Sequence, residues 1–104
     1  MTTDIRPQPV SLTPTDVPTV RPPFRLQFET AQNAWVLLYP EGMVQLNRSA
    51  GEIMCRCDGV RDVDSIVQDI EVAFDMKGLQ PDVIAFLNLA HARGWLRTRP
   101  MGAA

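Results

Sequence analysis

Hydrophobic and polar positions change their period twice along this chain. Phe24-Arg25-Leu26-Gln27-Phe28-Glu29 alternates apolar and polar residues, the pattern of a strand with one buried face. Trp35-Val36-Leu37-Leu38-Tyr39 is a continuous β-prone run that suits a strand covered on both faces. Between them Thr30–Ala34 reads as a polar turn. Tyr39-Pro40-Glu41-Gly42 is a second turn signal, with Pro40 at its first central position and Gly42 free to take a left-handed backbone in a bulged hairpin. Met43-Val44-Gln45-Leu46 is the returning strand.

From Asn47 onward the period is helical. Asn47 and Ser49 are both candidate N-caps, and Ser49 with Glu52 matches a capping box. Ala50, Ile53, Met54 and Cys57 make one apolar stripe that ends at Asp58-Gly59. Asp62 caps a second helix with Val63, Ile66, Val67, Ile70 and Phe74 inside, stopped at Lys77-Gly78. A third opens near Leu79-Gln80, with Pro81 and Asp82 in its first turn, and runs to Gly94. Trp95-Leu96-Arg97 is a short extended end. The predicted fold is α+β, winged helix-turn-helix-like: a three-stranded antiparallel sheet followed by three helices.

The first 22 residues break this order. Six of the nine prolines fall within residues 1–23, and no apolar stripe accompanies them. Residues 1–22 are therefore expected to be a disordered Pro-rich head or linker, 23–97 the folded domain, and 98–104 a flexible tail. The head lacks the charged start and apolar run of a signal peptide. No apolar stretch approaches the ~20 residues that span a membrane.

Charge and chemistry narrow the function. Between Phe24 and Arg97 seven Lys/Arg stand against ten Asp/Glu, a net of −3, which argues against a nucleic-acid footprint. Cys55 and Cys57 point to different sides of a helix, and two ligands make no zinc site, so one core and one partly exposed thiol in a reducing, cytoplasmic setting is the expectation. The single histidine, His91, has no Cys or carboxylate at ligand spacing. No phosphate loop, nucleophile elbow or zinc motif occurs. Neither an enzyme nor a bound cofactor is expected.

What remains is surface for a partner. On the third helix Val83, Ile84, Phe86, Leu87, Leu89 and Ala90 span an apolar arc of roughly 220°, more than one buried stripe needs. Met43–Leu46 lies at the edge of the predicted sheet, where unpaired main-chain groups can template another strand. Met43, Val44, Gln45 and Leu46, with Ile84, Phe86, Leu87, Leu89 and His91, are accordingly the candidate peptide-binding residues. Asp62, Asp64, Asp69, Glu71 and Asp75 form an acidic helix face, a candidate docking surface for a partner enzyme.

The run Trp35-Val36-Leu37-Leu38-Tyr39-Pro40-Glu41-Gly42-Met43-Val44-Gln45-Leu46-Asn47, with Ser49-Ala50-Gly51-Glu52-Ile53, Cys57-Asp58-Gly59, Val63, Ile66-Val67 and Gly94-Trp95-Leu96, resembles the pyrroloquinoline quinone (PQQ) biosynthesis protein D family. The resemblance covers about Phe24 to Arg97. It implies a peptide chaperone that binds the PQQ precursor peptide and presents it to the radical S-adenosylmethionine (SAM) enzyme that crosslinks its Glu and Tyr. It also implies that the peptide adds as a strand beside the third predicted strand and packs on the third helix. A leader-recognition module of another modified-peptide pathway, or a winged-helix dimerisation or DNA-binding domain, stands as the alternative.

Overall fold

The computed structural model describes residues 12–100. Over them the chain runs β1 (Asp16–Val20), β2 (Arg25–Glu29), β3 (Ala34–Tyr39), β4 (Gly42–Gln45), α1 (Arg48–Met54), α2 (Val63–Phe74), α3 (Gln80–Ala92) and β5 (Leu96–Pro100). β2, β3 and β4 form the expected antiparallel sheet in that order, and β1 pairs with β5 in a second, two-stranded ribbon.

The hairpin between β3 and β4 is tighter than its glycine suggested. Tyr39 pairs with Gly42, leaving only Pro40 and Glu41 in the loop. Left-handed backbone occurs at Asn33, Gly59, Asp75, Gly78 and Gly94, not at Gly42. With no bulge, the ladder continues in register to Leu46, whose N–H donates to the Trp35 carbonyl at 3.1 Å.

Asn47 rather than Ser49 caps α1: its side chain accepts the Ala50 N–H at 2.8 Å, while Ser49 Oγ donates back to Asn47 Oδ1. Ser49 already lies inside the first turn, and Glu52 is drawn to Arg56 at 3.0 Å instead of the capping position. Asp62 caps α2 as expected, accepting from Ser65 N–H. α2 ends two residues before Lys77, at the left-handed Asp75. Gly94, at φ +78°, closes α3, and Trp95 N–H returns to the Ala90 carbonyl.

The structure departs most from the sequence reading at the N-terminal side. Residues 12–22 belong to the fold rather than to a head. β1 runs against β5 with Asp16 opposite Pro100 and Val20 opposite Leu96, so 98–100 are strand rather than tail. Leu12 and Val17 are buried. The Leu12 N–H donates to Asn88 Oδ1 on α3, and the Pro14 carbonyl accepts the Asp64 N–H, one of the donors that the start of α2 leaves without an intrahelical partner. Pro22-Pro23 lies in a turn closed by Phe24 N–H to the Arg21 carbonyl. Residues 1–11 and 101–104, also part of the expected head and tail, lie outside the described residues.

One core unites these pieces. Leu37 from the sheet, Met54 from α1, Ile66 and Ile70 from α2, Leu87 from α3 and Leu96 from β5 are fully buried together. Each such side chain contributes about 1.5–3 kcal/mol relative to exposure, as an upper figure.

Candidate functional site

β4 is an edge. It pairs with β3 on one side, and among the described residues no strand pairs on the other. Hydrogen-bonded pairs alternate along an antiparallel ladder. Because Leu46 bonds to Trp35, Val44 and Gly42 also face β3, and the main-chain groups of Met43 and Gln45 point outward. Met43 is half exposed and the Gln45 side chain is exposed, whereas Val44 is half-buried and Leu46 is core. Of the four edge residues proposed from sequence, Met43 and Gln45 therefore present free backbone, and Leu46 acts by packing.

Directly after β4, a cleft of about 500 Å³ opens between α1, the end of α2 and the first half of α3. Ala50 and Ile53 form its α1 wall, Phe74 its α2 wall, and Leu79, Val83 and Phe86 its α3 wall. Its polar rim is Asn47, Ser49 and Asp82. Above Phe74 sits the Arg48 guanidinium, 4.7 Å from the ring centroid, which puts a cation beside the cleft mouth. α1 has seven residues against twelve in α2 and thirteen in α3, and the cleft lies beside it, against the end of α2 and the first half of α3.

α3 divides into two flanks about its buried line Val83, Leu87 and Ala90. Phe86 lies on the cleft flank with Leu79 and Asp82. At 3.6 residues per turn, Leu89 follows this flank, and it is 43% exposed. Asn88 holds Leu12 on the opposite flank, and Ile84 and His91 share that phase. The structure thus does not gather Ile84, Phe86, Leu87, Leu89 and His91 into one groove. Phe86 lines the cleft, Leu89 lies farther along the same flank and outside the lining, Leu87 is wholly core, and Ile84 and His91, both half-buried, face the side where the N-terminal segment crosses. The over-wide apolar arc arose partly because that segment covers one flank. Sequence reasoning missed Asn47, Ala50, Ile53, Phe74, Leu79 and Val83 as cleft residues; their helical stripes were legible, but not how the three helices meet around the opening.

The acidic residues of α2 have tasks within the chain. Asp62 is the N-cap, Asp64 accepts from Gln68, and Asp69 stands 3.5 Å from Arg61. Glu71 accepts the Leu79 N–H at 3.0 Å, bracing the start of α3. Asp75 takes the left-handed position that ends the helix. The thiols are unequal: burial pushes Cys57 up to about 12, and burial also raises Cys55, against the opposing charge of Arg56. Neither favours a thiolate. Among the described residues no group of three His, Cys, Asp or Glu side chains could hold a metal ion.

An open strand edge beside an apolar cleft, on a small sheet backed by three helices, defines a peptide-recognition module. The family model for coenzyme PQQ synthesis protein D (PqqD) matches residues 34–96, and the chain belongs to that family. Its relatives include a PqqA binding protein of Pseudomonas aeruginosa, 53% identical over 81 residues, covering 77% of this chain and 88% of that protein. A second, from Stutzerimonas stutzeri, is 46% identical over 86 residues, covering 82% of this chain and 94% of that protein. Among solved structures, the NMR structure of the PqqD truncation of Methylobacterium extorquens PqqCD, described as a functional and stand-alone RiPP (ribosomally synthesized and post-translationally modified peptide) recognition element, superposes with a TM-score of 0.69 at 26% identity. That match covers 86% of this chain and 97% of the other.

Proposed function

We propose that this chain is a peptide chaperone of PQQ biosynthesis. It binds the precursor peptide as an added strand on β4 and presents it, in the cytoplasm, to the radical SAM enzyme that crosslinks the peptide's Glu and Tyr. The observation that carries this reading is the outward-facing backbone of Met43 and Gln45, which runs straight into the cleft at Asn47. A peptide strand would gain main-chain hydrogen bonds at those two residues, each worth about 0.5–1.5 kcal/mol net. One of its apolar side chains would enter between Ile53, Phe74, Val83 and Phe86. Register follows, because side chains alternate along the added strand and only every second one can face the cleft. The names of the relatives, as PqqA binding proteins, support the same ligand.

The chain acts as a carrier and not as a catalyst. Holding the peptide in one register raises its effective concentration at the enzyme and limits which residues reach the reacting centre. The test is an amide-resolved NMR titration with the precursor peptide. Shifts are expected at Met43, Gln45 and Asn47 and along Leu79–Phe86. Shifts confined to the outer face of α2, with β4 silent, would overturn the placement.

A further inference from the structure

A chaperone of this kind needs a second surface, because the enzyme must be met while the peptide is still held. The described residues carry nine Lys/Arg, and four of them, Arg21, Arg93, Arg97 and Arg99, gather where β1, β5 and the end of α3 meet. Arg97 and Arg99 are two apart on β5 and share one face of the ribbon, opposite Thr19 and Val17. Arg21 follows β1 on the same face, its N–H bonded to the Trp95 carbonyl and its guanidinium lying over Gly94. Arg93 stacks on the Trp95 ring at 5.6 Å. Arg99 is tethered to the Gly59 carbonyl at 3.1 Å. All four are exposed, and the ion pairs among the described residues involve only Arg56 and Arg61. Asp58, next to Gly59, is occupied by Arg61 and by the N–H groups of Val60 and Arg61, and Asp16, on β1, accepts the Thr13 N–H.

Three features set this ribbon apart from ordinary solvated charge. Its sign opposes the net charge of the chain, −2. Two of its guanidiniums are held, Arg93 on a ring and Arg99 by a carbonyl, so less side-chain freedom is lost when they pair. And it lies at the far end of α3 from the cleft: the helix has 13 residues and is roughly 20 Å long. No residue of the ribbon lines the cleft.

We propose that the Arg21–Arg93–Arg97–Arg99 ribbon docks an acidic surface of the enzyme that receives the peptide, leaving the cleft occupied. This rests on the reading of the chain as a peptide carrier. Planar guanidiniums pair with carboxylates through two parallel hydrogen bonds, which sets orientation as well as attraction. The carrier would meet the enzyme ribbon first, with the peptide projecting from the opposite end of α3.

The experiment measures two affinities on the same protein, one for the pathway's radical SAM enzyme and one for the precursor peptide, in the intact chain and in Arg97→Glu/Arg99→Glu. Enzyme affinity is expected to fall by at least ~10-fold in the charge-reversed variant, with peptide affinity held within ~2-fold. Enzyme binding by the unaltered chain should also weaken steadily from ~50 to ~500 mM salt. Unchanged enzyme affinity in the variant overturns the proposal, and so does salt-independent binding of the unaltered chain, a measurement that needs no variant. Tighter binding of duplex DNA than of enzyme, reversed by the same substitutions, overturns it in favour of a nucleic acid. Arg97→Gln/Arg99→Gln serves where the amide spectrum of the charge-reversed form shows a lost fold. Failure of the unaltered chain to bind peptide would sink the carrier reading instead, and the two results are separately visible.

Discussion

Gly51 of α1 lies against the indole of Trp35 of β3 so closely that a Cβ built on it would stand 2.7 Å from Trp35 Cδ1 and 2.9 Å from Trp35 Cβ. This contact seats the first helix on the sheet and fixes where the cleft opens. Gly51→Ala gains helix propensity of about 1 kcal/mol but forces the indole or the helix to move. The expected net result is a loss of about 1–3 kcal/mol in urea unfolding. An alanine variant as stable as the parent would mean that Trp35 has room to yield.

Neighbouring residues of α3 should separate folding from binding. Leu87 is fully buried, so Leu87→Ala should cost about 2–5 kcal/mol of stability. Phe86 lines the cleft and is half-buried, and Leu89 is 43% exposed. Phe86→Ala should weaken peptide binding by about 1–2 kcal/mol, or roughly tenfold, with a smaller stability loss than Leu87→Ala. Leu89→Ala should unfold within about 1 kcal/mol of the parent. Calorimetric titration with the precursor peptide, beside denaturant curves, checks all three.

Removing residues 1–22 should damage the domain. The cut takes away β1, the buried side chains of Leu12 and Val17, and the carbonyl that serves the start of α2. Two buried aliphatic side chains alone amount to about 3–6 kcal/mol. At about 4–8 °C per kcal/mol for a domain of this size, Tm should fall by more than ~10 °C. A chain starting at Pro23 that melts with the parent would remove β1 from the account of stability.

Asp58 supplies a pH-dependent term. Partial burial pushes its carboxyl up, but the N–H bonds from Arg61 and Val60 and the charge of Arg61 outweigh that, and the net shift is downward. A lowered folded-state value means stability that is present above the unfolded value, near ~3.9, and is lost as pH falls through the folded value. Asp58→Asn should therefore be less stable than the parent at pH 7, and the gap should narrow by pH 3. A gap that stays constant over that range would assign the loss to geometry and not to charge.

How much of this was legible in the sequence depends on how local each signal was. The β2–β4 sheet and α1–α3 were readable because their periods and caps lie within a few residues of one another. β1 was not. Its partner β5 lies some 80 positions away, and Pro18 sits mid-strand, where proline argues against a strand. The structure resolves the conflict: with Arg21 bonded to Trp95, the alternation turns Pro18 away from β5, and its carbonyl accepts the Gly59 N–H on the other side. A missing N–H costs nothing there. Of the candidate residues, Met43 and Gln45 lie on the open edge and Phe86 in the cleft, places that the strand and helix periods already indicated. Ile84 and His91 stand on the other flank of α3, and a wide apolar arc does not say which part another segment of the chain will cover.

The pairing of β1 with β5 has a consequence for how the domain comes apart. Asp16 and Pro100 are opposite one another in the ladder, about 5 Å apart between Cα atoms. From Asp16 the chain runs back over the helices, with the Pro14 carbonyl on the Asp64 N–H and the Leu12 N–H on Asn88, so the two sides of the ribbon do not part at one corner. Loosening β5 therefore also frees the segment that braces α2 and α3. The two ends of the described fold hold each other, and neither can be peeled away without unsettling the helices that wall the cleft.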